Sequence, residues 1–243
     1  MKALFGLLLA AGKLGKFATT GLTMVISVFA YALVFGLWYA VGFVLLILVH
    51  ELGHYVAARQ RGLDVGVPTF IPFVGAWIQL KDLPHDAETE AYVGIAGPVA
   101  GTAGALACYF LARRYDSALL LALSYPGFFL NLFNLIPVAP LDGGRITAIL
   151  SPRVWLAGVP ILVGLFIWRP SPLLVLIAIL AAPQLWRAIK FDPGAPENVA
   201  YYGVAAEQQL HYGLFYLGLA AYLAVMSYEV HEMLPGIPHT ARS

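Results

Sequence analysis

The chain has 243 residues, of which 60% are hydrophobic and only 11% charged, less than half the charge of a typical soluble domain, so water is not its only solvent. A formal net charge of +1 gives no reason to expect nucleic acid as a partner. Seven spans of about 20 residues with their connections would use nearly all of it, so one integral-membrane domain over 1–243 is expected, with no separate soluble module.

The opening "MKALFGLLLAAGK" has the outline of a signal peptide: one lysine, a short apolar run, then small residues. Lys13 and Lys16 follow at once and a fresh apolar run starts near Phe17, so this segment is expected as a short amphipathic helix at the interface, with cleavage as the alternative. From Phe17 to Ala58 the only formally charged residue is Glu51, and that run is long enough for two spans, at about 20–38 and 41–61. Next, "GLDVGVPTFIPFVGAWIQLKDLPHD" mixes the helix breakers Pro68, Pro72 and Gly75 with residues that favour extended chain, which predicts a short β-like insertion. A third span, 91–112, carries "GIAGPVAGTAGA", whose small residues let a neighbouring helix approach closely. Cys108 lies within it and reads as a small packing residue.

The fourth span, 117–135, runs into "NLIPVAPLDGGR", where Pro137 and Pro140 forbid a continuous helix. Further spans are expected at 153–168, 172–189 and, after the amphipathic "NVAYYGVAAEQQL", at 211–230. The fold class is therefore all-α and polytopic, with about six to seven transmembrane helices and a short membrane-associated β-like insertion between the second and third. Orientation follows from Lys and Arg. With the N-terminus cytoplasmic, Lys2, Lys13, Lys16, Arg59, Arg61, Lys81, Arg145, Arg153, Arg187 and Lys190 fall inside, against Arg113, Arg114, Arg169 and Arg242 outside. This places a multi-pass protein in the cell membrane with the second span ending at the cytoplasmic face.

That second span contains H-E-x-x-H: His50, Glu51 and His54. On a helix, positions i and i+4 share a face, so both imidazoles can reach one metal ion, while Glu51 points toward water held there and can take its proton. The pattern suits peptide hydrolysis. Ionisable groups near the bilayer centre are expensive, which removes the reading of a solvated helix face and leaves a structural ion pair as the bland alternative. Gly53 leaves space for a partner helix or a substrate chain. A third ligand is needed. His85, His211, His231 and His239 fall in loops or near helix ends, whereas Asp142 follows the broken fourth span at the matching depth, and Gly143 and Gly144 allow a sharp turn after it.

"HELGH" at 50–54 with "FNLIPVAPLDGGR" at 133–145 resembles the site-2 protease family of intramembrane zinc metalloproteases, peptidase family M50, and "GIAGPVAG" and "PTFIPFVGAWIQL" extend the likeness over about 20–150. The resemblance implies a catalytic core over 20–150, with additional helices over about 153–234. It implies one Zn²⁺ per chain held by His50, His54 and Asp142, with Glu51 as general base and Asn134 binding the scissile carbonyl. Asn131, one turn earlier, is a second candidate for that carbonyl, and both asparagines could instead be interhelical glue. The insertion around 70–80 would offer a strand edge to an unwound substrate, or else form a packed plug. No segment resembles the PDZ domain or the nucleotide-binding tail of some family members.

The function this implies is intramembrane zinc metalloendopeptidase, hydrolysing peptide bonds within transmembrane segments in regulated intramembrane proteolysis. Its partners would be the bilayer and a transmembrane protein substrate, a single-span anti-sigma factor being one example. A divalent-metal transporter or metal-binding membrane protein is the alternative from another class. A scaffold that binds without cutting is a third, against which the complete set of ligands and base argues.

Overall fold

The structure is a computed structural model that describes residues 2–73, 75–77 and 84–234, with side chains from residue 18 onward. Lys81, His239, Arg242 and positions 78–80 of the expected strand edge lie outside the described residues, as do the side chains of Lys2, Lys13 and Lys16. Helix α1 runs Lys2–Phe35 and α2 runs Leu37–Gln60, separated only by Gly36 at φ 86. A left-handed residue costs glycine nothing and breaks the ladder. The amphipathic segment expected before Phe17 is thus the first part of α1: no proline interrupts 2–35, so nothing forces the helix to restart.

Strands β1 (Thr69–Ile71) and β2 (Gly75–Trp77) form an antiparallel pair with Phe70 opposite Ala76. Strand β1 leans on α1 and β2 on α2. The Phe70 N–H donates to Thr23 Oγ1 at 3.2 Å, the Phe73 N–H to Tyr31 Oη at 3.0 Å, and Thr20 Oγ1 to the Pro68 carbonyl at 2.6 Å. Phe70 packs in a cluster with Tyr31, Ala40, Val44 and Ile47. At Phe70, then, the outward backbone group of β1 is already satisfied by α1.

Helix α3 (Ala87–Tyr115) starts where Asp86 caps the Thr89 N–H at 2.7 Å, and α4 (Ala118–Asn134) starts at Ser117. A six-residue α5, Asp142–Thr147, follows the proline-broken stretch. The span expected at 153–168 divides into a 3₁₀ turn, Pro152–Ala157, and α6, Gly158–Trp168. Pro160 falls in the first turn of α6, where its missing N–H costs no hydrogen bond. Helix α7 occupies Pro172–Ile189, α8 Pro196–Tyr202 and α9 Ala206–Met233.

Among the described residues five helices are long and apolar enough to cross a bilayer: α1, α2, α3, α7 and α9, with α4 and Pro152–Trp168 apolar but shorter. Their outer faces show Phe29, Leu33, Ile167, Ile179 and Tyr228, as a hydrocarbon solvent permits. Inside, α2, α3 and α4 pack together and α9 closes over α4, with Ala105, Phe128, Leu223 and Val230 in one buried cluster.

Candidate metal centre

His50 and His54 project from one face of α2, one turn apart, and Asp142 begins α5 directly opposite. All three are buried, as is Glu51. The donor atoms lie close together: His50 Nε2 to His54 Nε2 is 3.1 Å, His50 Nε2 to Asp142 Oδ2 3.1 Å, and His54 Nε2 to Asp142 Oδ1 3.2 Å, so each imidazole faces its own carboxylate oxygen. One ligand atom from each residue lies within 4.8 Å of the others, close enough to hold one ion.

The protons give an independent test of fit. His54 Nδ1 lies 2.8 Å from the Val93 carbonyl, which can only accept, so Nδ1 carries the hydrogen. Asn131 Nδ2 donates to the Gly127 carbonyl at 2.6 Å, which turns the amide oxygen toward His50 Nδ1 at 2.8 Å and makes that nitrogen a donor as well. In the neutral form of each ring this leaves the Nε2 lone pair directed at the space shared with the other imidazole and the Asp142 carboxylate, which is the form in which imidazole binds a metal ion. Among the described residues this is the only group of three His, Cys, Asp or Glu placed to hold a metal ion. Of the other histidines named from the sequence, the described His85, His211 and His231 stay outside it.

Helix α3 makes the room. A Cβ on Gly97 would sit inside the His54 ring, and one on Gly101 would overlap the Asn131 amide. The small-residue run is thus a slot cut for a ligand and for the amide behind its neighbour, beyond the close helix packing expected of it. Gly53 faces α3, where an added Cβ would strike the Ala96 carbonyl, so its space is taken by a partner helix rather than by a substrate chain.

The aspartate half stands on broken backbone. Gly143 and Gly144 are helical residues within α5, and neither has positive φ; side chains there would collide with the backbone of 135–139 lying underneath. Close approach, not the expected sharp turn, is what they provide. The free groups of this stretch are satisfied from three directions: Tyr216 of α9 donates to the Leu135 carbonyl, Gln184 of α7 accepts from the Ala139 N–H, and Trp155 Nε1 donates to the Gly144 carbonyl at 2.7 Å.

Glu51 forms no hydrogen bond among the described residues, yet its oxygens are not among the sealed unpaired polar atoms, so its carboxylate keeps contact with accessible space. It lies within electrostatic reach of both histidines, Asp142 and Arg145. Arg145, one turn after Asp142, has a buried Nη2 with no partner. Asn134 is the last residue of α4 and half-buried, whereas the amide that touches a histidine is that of Asn131. Nothing local in the sequence marks that contact, because 81 residues separate the pair. At the same end of the bundle Tyr201 of α8 donates to Glu90 Oε2 at 2.8 Å, and burial together with that carboxylate pushes the Tyr201 phenol well above its ordinary range.

The sequence profile of peptidase family M50 matches residues 38–117. A zinc metalloprotease of Methanocaldococcus jannaschii is 33% identical over 126 residues, covering 48% of this chain and 36% of its own length. A Mycobacterium tuberculosis protein named as a zinc metalloprotease, Rip3, is 36% identical over 129 residues, covering 47% and 32%. The chain thus spans about a third of the length of these curated relatives. A solved structure titled site-2 protease, also from Methanocaldococcus jannaschii, aligns with a TM-score of 0.46 and 24% identity over 70% of this chain and 85% of that one.

Proposed function

We propose that this chain, whose residues 38–117 match the profile of peptidase family M50, is a member of the site-2 protease family and an intramembrane zinc metalloendopeptidase that hydrolyses a peptide bond within a transmembrane segment of another protein. The observation that carries this reading is the convergence of two Nε2 atoms and the Asp142 carboxylate, beside Glu51, inside an apolar bundle. His50, His54 and Asp142 would hold one Zn²⁺. When bound, the ion supplies Lewis acidity, which makes water nucleophilic near neutral pH and draws electrons from a carbonyl.

Everything else is assigned to the chain. Asn131 and the Val93 carbonyl keep both rings in the tautomer that leaves Nε2 free. Glu51 takes the proton of the attacking water and returns it to the leaving amide nitrogen, so the carboxylate ends as it began. Asn134 at the mouth of the broken stretch donates to the scissile carbonyl oxygen. The substrate must unwind first, since a helix satisfies its own carbonyls. With β1 tied to α1 at Phe70, the edge left for a substrate strand is that of β2.

The described helix ends support a cytoplasmic site. Arg59, Arg61, Arg145, Arg153, Arg187 and Lys190 share the end of the bundle that carries the proposed metal ligands, while Arg113, Arg114 and Arg169 lie at the other, a bias that favours an inward-facing N-terminus and site. A single-span substrate, such as an anti-sigma factor cleaved in regulated intramembrane proteolysis, fits that geometry. Co-reconstitution with a single-span substrate tests the reading. Wild type should cut within the span and Glu51→Gln should not; metal flux without cleavage would overturn it in favour of transport.

A further inference from the structure

At the end of α7 a cavity of about 230 Å³ opens between this helix, the 3₁₀ turn and α8. Trp155, Trp186, Arg187, Lys190, Asn198 and Tyr202 contribute to its walls. Helix α7 is apolar enough to span, so its last turn lies where hydrocarbon gives way to headgroups, and tryptophan and basic side chains are what that level selects.

The charges there lack close partners. Neither Arg187 nor Lys190 lies within 4.0 Å of a carboxylate among the described residues, since the ion pairs found involve other residues. Lys190 Nζ sits 4.6 Å from the Trp186 ring centroid. The neighbouring acids are engaged elsewhere: Glu90, within electrostatic reach of Arg187, accepts from Tyr201, and Asp192 Oδ1 accepts from the Gly194 N–H at 2.9 Å. A third cation, Arg153, is anchored at the rim on the Phe191 carbonyl at 3.2 Å. Beside the cavity, Trp186, Ile189 and the α7 residues Ile179 and Leu180 expose apolar surface along which an acyl chain could lie.

We propose that this cavity binds the phosphate of an anionic glycerophospholipid, with Arg187 and Lys190 as counter-charges, the two tryptophans at the glycerol level and the tails along α7. The site also touches the catalytic framework. Trp155, one wall of the cavity, donates to the carbonyl of Gly144, two residues after Asp142. An occupied cavity would restrain the segment that presents the carboxylate.

The test uses the full chain in detergent and reads lipid retention by native mass spectrometry, with no cleavage assay involved, so its outcome is separate from that of the proposed proteolysis. Phosphatidylglycerol should be retained in preference to phosphatidylcholine. An Arg187→Gln, Lys190→Gln double variant should lose about 25-fold in affinity for phosphatidylglycerol, about fivefold per cation, with thermal melting unchanged. Arg113→Gln with Arg114→Gln at the opposite end should lose nothing. Equal retention by the double variant, or an equal loss in the opposite-end control, would overturn the proposal. Displacement of the lipid by glycerol 1-phosphate at the concentration at which phosphatidylglycerol itself binds would overturn it too, by showing a site for soluble phosphate.

Discussion

The two halves of the candidate metal centre are built by opposite means. His50 and His54 stand on an unbroken helix whose own pitch brings them together, so their relation is local and needs little from outside except orientation. Asp142 stands at the start of a six-residue helix after seven non-helical residues, 135–141, and its position depends on Tyr216, Gln184 and Trp155 from three other elements. A helix-borne pair can be fixed by spacing, while a ligand on irregular backbone has to be fixed by its surroundings.

Breaking the chemistry without touching either half should give the largest effect. Glu51→Gln is expected to lower cleavage by about 10²–10⁴-fold while zinc content stays at one per chain, measured by peptide mass analysis and metal content on the same sample. Next comes the slot on α3. Gly97→Ala drives a methyl group into the His54 ring and should cost about 1–3 kcal/mol of stability together with the bound metal, read from thermal melts and zinc content. Gly164→Ala, where an added Cβ meets nothing within 4 Å, is the matched control and should leave both unchanged.

The remaining predictions set the two halves against each other. On the histidine half, Asn131→Ala frees the His50 ring and should weaken zinc binding about 10–100-fold in a chelator competition. For the aspartate half, Trp155→Phe keeps the ring but strands the Gly144 carbonyl, costing about 1–3 kcal/mol in a melt with a smaller loss of zinc affinity than Asn131→Ala, because two other anchors still hold the segment. A larger zinc loss from Trp155→Phe would mean that the irregular stretch rests on one anchor.

That contrast also explains what could be read in the sequence. Helix α7 falls at 172–189 as expected because Ser171 and Pro172 mark its start, and α2 follows its apolar run. H-E-x-x-H is legible because its geometry is local, and Asp142 stands out because an acid after two prolines at membrane depth has few uses. The contact of Asn131 with His50 and the seating of His54 against Gly97 join residues on different helices, with no periodicity to reveal them. The division of 153–168 is hidden in the sequence because the 3₁₀ turn and α6 share one apolar run, while prolines elsewhere in the chain, such as Pro98 and Pro183, sit inside unbroken helices.

Zinc content of the purified chain, measured together with X-ray absorption at the zinc edge for wild type and Asp142→Ala, tests the central claim most directly. The account predicts one zinc per chain with two imidazole nitrogens and a carboxylate oxygen in its first coordination sphere, and loss of that zinc in the variant. Stoichiometric zinc retained by Asp142→Ala with unchanged coordination would contradict it.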